Sequence, residues 1–424
     1  MPDYKRKKIH TSPRRHKKAH VQNVEMNIPM RTSRRIKKDI TQDSDIRVVK
    51  GKKGEKRKKL YVFAGIIAVI SLILFILSIS LPVGLYESTK DFVLSLGSGT
   101  FPLELSGTQT LDCVPKNNYY YVLTDTSVMA YSNGGKKIFS SVHGFSAPVI
   151  TTSETRALVY DQGKNAAIIY NLSGIVDTIE SKETIIAADI ARDGQYALVT
   201  KSDSYAACVT VYNRKGKPIY SIKLAKEMVN NVCIAPSGKK IAISTLNAES
   251  GKIISSLRVY GFNSADPDFK FDLSDDFVYD IESCNRGFFV TTHNKLRYIN
   301  WSKYTVNEND FGGEIALMRY SSAGTMAVYN KTNDKSDNNI VLFSNSGKKI
   351  SEFEIKGIVN DIRFSRGRVY AIGDNKITIY GKNGEILRSG SCGFGGVKIS
   401  VVGSNTVCII SDNEIEKSVI EKGE

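Results

Sequence analysis

The chain has 424 residues with 59 Lys and Arg against 43 Asp and Glu, and the surplus sits at one end: residues 1–59 hold 21 basic and 6 acidic side chains, residues 60–424 hold 38 and 37. This layout gives a basic tail, an apolar segment of membrane length and a nearly neutral remainder. Only His143 and His293 lie beyond the tail, 150 residues apart, which leaves little support for a His-based metal site or a His-dependent nucleophile.

Residues 1–59 carry a single aromatic, Tyr4, and too little apolar surface to offset chain entropy, so a disordered cytoplasmic tail is expected. Lys50, Lys52, Lys53, Lys56, Arg57, Lys58 and Lys59 sit directly before the apolar run and are expected to contact anionic lipid, each adding roughly 1 kcal/mol near the surface. The tail's near lack of aromatics argues against a dedicated nucleic-acid site, although a salt-sensitive nucleic-acid tether is an alternative reading of its charge.

Leu60 to Tyr86 contains no charged residue, and residues 60–81 supply the roughly 20 apolar residues that a membrane-crossing helix needs. No polar stripe interrupts the run, and it lacks the short core and small-residue cleavage site of a signal peptide. An uncleaved transmembrane helix is therefore expected. Lys and Arg cluster before it and the next basic residue after it is Lys90, so the N-terminus should stay cytoplasmic and the C-terminal domain be extracytoplasmic at the plasma membrane. Residues 82–99 read as a linker.

From about residue 100 to 421 the pattern is short β-branched and aromatic runs broken by Gly, Asn, Asp and Ser, which predicts an all-β class. A hairpin turn recurs at Asn118, Thr155, Gly194, Gly238, Gly287, Gly324, Gly367 and Gly403. A second turn follows in several units, as in Arg214-Lys215-Gly216-Lys217 and Lys382-Asn383-Gly384-Glu385. Two hairpins per unit of forty-odd residues make a four-stranded propeller blade. Eight turns favour eight blades, with seven left open by uneven spacing; the Ser244–Ser256 stretch reads as a loop insertion. The last unit has room for three strands, and Thr100–Leu105, with Phe101, Leu103 and Leu105 alternating, is expected to supply the fourth.

Ala191-Arg192-Asp193-Gly194-Gln195-Tyr196-Ala197 and Ala235-Pro236-Ser237-Gly238-Lys239-Lys240-Ile241-Ala242 resemble the first hairpin of WD-repeat blades, although the terminal Trp-Asp dipeptide is missing and Trp301 is the sole Trp. The plan of tail, single span and exported propeller resembles single-pass membrane proteins of Gram-positive anaerobic bacteria grouped as a domain of unknown function. That resemblance implies architecture rather than activity.

Residues five to seven positions before the first turn include Asp112, Asp189, Asn231, Asp280 and Asp361. The first strand of each blade lines a propeller's channel, so these side chains are expected to ring one mouth and to favour a cation or a basic peptide. The competing expectation is that each ties down neighbouring backbone N–H groups. Cys113, Cys208, Cys233, Cys284, Cys392 and Cys408 form no C-x-x-C pair; they read as buried small residues, with disulfides left open. Ser411-Asp412-Asn413 copies a motif of penicillin-recognising enzymes without its partner motifs. No metal, cofactor or catalytic set is indicated. The sequence thus points to a non-enzymatic scaffold for a protein, peptide or cell-envelope partner, with an envelope hydrolase or ligand sensor using the acidic mouth as the alternative.

Overall fold

The computed structural model describes residues 61, 63–65, 68–69, 83–107, 109–249, 251–273, 276–320, 326–331, 337–393 and 395–421. The tail, with the seven basic residues expected to contact lipid, and most of the span expected at residues 60–81 lie outside this set; Tyr61, Phe63–Gly65, Ala68 and Val69 are helical. Among the described residues no helix is long and apolar enough to cross a membrane. Two compact units are formed, residues 1–70 and 71–424.

In the second unit the described residues build eight four-stranded antiparallel sheets. Seven are consecutive in sequence, and their innermost strands are Thr110–Pro115, Pro148–Thr152, Ile185–Ile190, Met228–Ile234, Asp280–Cys284, Glu314–Tyr320 and Asp361–Ser365 (blades 1 to 7). Blade 8 comprises Lys398–Val401, Thr406–Ile410 and Glu414–Val419, and takes its fourth strand, Leu103–Glu104, from before blade 1. The register there pairs Leu103 with Ile415 and Glu104 with Glu414. The first-hairpin turns fall where the repeat placed them, apart from Gly324, which is outside the described residues. Gly194 and Gly238 adopt φ of 85° and 63°, conformations that a Cβ would strain.

Burial explains the run composition. The second strand of a blade is covered on both faces by neighbouring blades, so Tyr119–Thr124, Ala157–Asp161 and Gly287–Thr291 are buried at every position. Outer strands alternate, as in Pro218–Leu224, because one face meets solvent. Eight apolar clusters each join one blade to the next. The cluster of Tyr170, Tyr121 and Leu123 links blades 1 and 2. That of Cys113, Tyr120, Met129, Cys408, Ile410 and Ile415 links blade 8 to blade 1, with Phe101, Leu103 and Leu105 packed on it. No sheet closes on itself; the blades are held in succession by this packing.

Two expectations are corrected. The stretch read as a loop insertion is a regular extension, Lys240–Glu249 pairing with Lys252–Gly261 along ten positions. The segment read as a linker contains the helix Val83–Leu94. All six cysteines are free.

Candidate functional site

The inner strands surround a central cavity of about 950 Å³ to which all eight blades contribute, from Cys113 in blade 1 to Val401 in blade 8. Ser88, Asp91 and Phe92 of the helix, and Ser95 just after it, also line it, so the helix lies over the end where the first-hairpin turns sit. Asp112, Asp189, Asn231 and Asp280 line the cavity. Asp361 does not. It is fully buried, where Arg319 Nε donates to it at 2.8 Å and Arg363 Nη2 lies 3.1 Å away.

The recurring aspartates tie blades together. Asp189 accepts the backbone N–H of Ile234 in blade 4 at 2.7 Å and the hydroxyl of Thr151 in blade 2 at 2.9 Å. Asp361 accepts the N–H of Ile399 in blade 8 at 3.1 Å while holding Arg319 of blade 6. The position before them repeats the device with opposite polarity. Asn230 and Asn360 donate to Val278 O and Gly396 O at 2.8 and 3.1 Å, each acceptor lying two residues before the next inner strand. Asn231 also reaches Val278 O, at 3.1 Å. Asp112 differs: among the described residues its carboxylate accepts the adjacent Cys113 N–H, at 2.8 Å, and no group of another blade. Three of these side chains, Asp189, Asn231 and Asp361, therefore act as backbone ties, with the partner lying across the blade boundary rather than in the local loop.

A second set of groups was hidden from the repeat count. Along an inner strand every second side chain shares a face, so Asp280 is accompanied by Glu282, and Asp112 by Lys116 two steps further; Arg363 also lines the cavity, although Asp361 does not. Glu282 is reached by water yet enclosed by the blades. That enclosure, with Asp280 and Asp189 nearby, pushes its carboxyl up to about 8, while Lys116 opposes the rise. Burial likewise raises Asp280 to about 6, despite hydrogen bonds from Ile281 N–H and Tyr320. Burial also raises Asp189. Lys116 is lowered to about 8 by burial, which Glu282 and Glu154 partly oppose, and its Nζ donates to Thr152 Oγ1 at 2.8 Å. The cavity wall is acidic in blades 3 and 5 and basic at Lys116, Arg319 and Arg363. Among the described residues no group of His, Cys, Asp and Glu could hold a metal ion.

Glu87 fixes the helix to the blades. It accepts from Arg156 Nη2 at 3.2 Å and from Thr155 Oγ1 at 2.9 Å, and it pairs with Arg214. Asp91, one turn on, is buried with Oδ2 unpartnered, and burial pushes its carboxyl up to about 7 against the pull of Lys90. An acid raised above its unfolded value contributes most to docking where it is protonated, below about pH 4, and loses that contribution as pH climbs through about 7. Relative to the intrinsic base-catalysed rate at each pH, amide exchange in the helix Val83–Leu94 is therefore expected to quicken about tenfold or more between pH 5.5 and 8.5. Asp91→Asn should flatten that dependence, and an unchanged slope in the variant would refute the assignment.

Ser411-Asp412-Asn413 is explained by the seam. Thr110, at the start of blade 1, donates its N–H to Asp412 Oδ1 at 3.0 Å and its hydroxyl to Ser411 O at 2.8 Å.

Eight radially packed four-stranded sheets around a lined central cavity define a WD40-like β-propeller. The designed protein Ika8 superposes with a TM-score of 0.54 at 9% identity, covering 76% of this chain and 100% of that one. The C-terminal WD40 domain of Sif2 gives 0.51 at 12% identity, with 76% and 100% covered, and BamB from Moraxella catarrhalis gives 0.49 at 11%, with 76% and 98%. At such identities the likeness concerns the fold alone. The chain belongs to the family of unknown function DUF5711, whose family model matches residues 103–420. No curated protein matches the chain by sequence.

Proposed function

We propose that this protein is a membrane-anchored, extracytoplasmic and non-enzymatic scaffold that binds a protein, peptide or cell-envelope partner on its propeller. The observation that carries the reading is the use of the recurring channel residues. Asp189 and Asp361 are engaged with the backbone of the following blade, and Arg319 and Arg363 with Asp361. Such groups hold a rigid frame and leave recognition to the loops. Anchorage rests on the uncharged run at residues 60–81 and the basic cluster before it. Protease added to intact cells is expected to digest residues 100–421 and to spare a tag at the N-terminus; the reverse pattern overturns this topology.

The alternative, ligand sensing or hydrolysis in the channel, draws on Asp280 and Glu282, which face the cavity with raised carboxyls. Substitutions separate the two. Asp189→Ala should cost roughly 2 kcal/mol in chemical denaturation, because the Ile234 N–H loses its acceptor. Asp112→Ala should cost less than about 1 kcal/mol. Glu282→Gln should leave both the unfolding midpoint and the binding of an oligolysine probe unchanged. Loss of oligolysine binding at an unchanged midpoint would favour the channel site over the scaffold.

A further inference from the structure

The two ends of the propeller differ in charge. In a four-stranded antiparallel blade the first and third turns emerge at one end, and the second turn and the connection to the next blade at the other. At the first end, six of the eight blades present an exposed basic side chain: Lys136, Lys215, Lys239, Arg286, Lys348 and Lys382, in blades 1, 3, 4, 5, 6 and 7. Exposed carboxylates described there are Glu154, Asp193, Asp266, Asp268, Glu385 and Glu421, against ten exposed basic side chains once Arg192, Lys217, Lys303 and Arg366 are added. Glu154 is itself paired with Arg192, at 2.7 Å. At the other end exposed lysines alternate with carboxylates, as in Lys182 with Glu183, Lys201 with Asp203 and Lys376 with Asp374.

The basic end is also the end that carries the helix. Glu87 reaches the first turn of blade 2 and Arg214 in the third turn of blade 3. Lys136 Nζ, in the third turn of blade 1, donates to Leu94 O and Leu96 O. In sequence only Pro82 separates the helix from Leu81, the end of the uncharged apolar run. One intervening residue spans roughly 7 Å between flanking Cα atoms at full extension. A chain anchored through residues 60–81 therefore brings this end, and not the other, close to the lipid surface.

This end also holds a cavity of about 400 Å³ between the first turns of blades 4 and 5 and the third turn of blade 5. Arg286 and Lys303 line it with Asn285, Ser237 and Ser302 and no carboxylate; Lys240 lines it too, but its Nζ is paired with Asp268 at 3.3 Å and donates to Trp301 O at 3.2 Å. Trp301 lines it as well and is 7% exposed, and its indole N–H is buried with no acceptor. A buried donor left unmade is costly.

We infer that the end bearing the first and third turns is a docking surface for anionic phospholipid headgroups, with one headgroup received in the cavity beside Trp301. The inference rests on the anchoring proposed above. The surface would lay the propeller on the leaflet that its anchor emerges from and present the opposite end to partners.

The test places the full chain in nanodiscs of phosphatidylcholine alone or of phosphatidylcholine with phosphatidylglycerol, and maps lysine acetylation by mass spectrometry. Lys215, Lys239, Lys303 and Lys348 are expected to be protected several-fold in the anionic discs, with protection lost at about 1 M salt, where the Debye length falls to roughly 3 Å. Lys182, Lys201 and Lys376 should label equally in both. Equal labelling of the two ends in both lipids overturns the inference. Equal protection by soluble polyphosphate in neutral discs would assign the surface to a free anionic polymer instead, which also overturns it. Failure to enter discs would sink the anchoring alone, and the same labelling on vesicles of the two compositions then decides the surface.

Discussion

Replacing Arg363 by Ala is expected to lower the unfolding free energy by about 3–5 kcal/mol, the range seen when one partner of a buried ion pair is removed. Arg363 is 7% exposed and joins three blades. Its Nη2 donates to Cys113 O in blade 1 at 2.8 Å, its Nε to Ile399 O in blade 8 at 3.1 Å, and it flanks Asp361 in its own blade. Truncation leaves two buried carbonyls without those donors and a fully buried carboxylate with one cation fewer. Arg363→Lys keeps the charge but not the fork, so its midpoint in urea should fall between those of the parent and Arg363→Ala. A loss below about 1 kcal/mol for the Ala variant would mean that the seam is held by apolar packing alone.

Placing Asp at both Leu103 and Leu105 should cost roughly 3–4 kcal/mol and cause association at micromolar concentration. Both leucines pack, partly buried, on the Cys408, Ile410 and Ile415 cluster, and each loses most of a hydrophobic side chain's burial while gaining a desolvated charge. The strand Glu414–Val419 would then present an unpaired edge, and static light scattering should detect its pairing between copies. A monomer with unchanged denaturation would show that Leu103–Glu104 is dispensable. Combined with Arg363→Ala the loss should not be additive, because both act on the junction of blades 8 and 1.

Much of the fold was legible because a repeat reports its own geometry. The turns at Gly194, Gly238 and Gly367 need little context, and the alternation of Phe101, Leu103 and Leu105 marked the strand that completes blade 8. The helix Val83–Leu94 was not legible. It holds its place through Glu87 meeting Arg156 and Arg214, residues some seventy and more positions away, and its own sequence has no acidic residue in the first turn and no basic one in the last. The candidate site was half legible. Counting back from turns found Asp189, Asn231, Asp280 and Asp361, but not what they face. Which side chain gains a partner depends on the offset between neighbouring inner strands, and no local pattern encodes that offset. The period of two along each strand would have added Glu282 and Lys116.

Pairing the first strand with the last has a temporal consequence. Leu103 meets Ile415 more than three hundred positions later, so at typical synthesis rates the early strand waits about 15–60 s for its mate. Through that interval blade 1 lacks its neighbour on one side and Phe101, Leu103 and Leu105 have nowhere to bury. The nascent domain is therefore most vulnerable to misassembly just before its final twenty residues emerge.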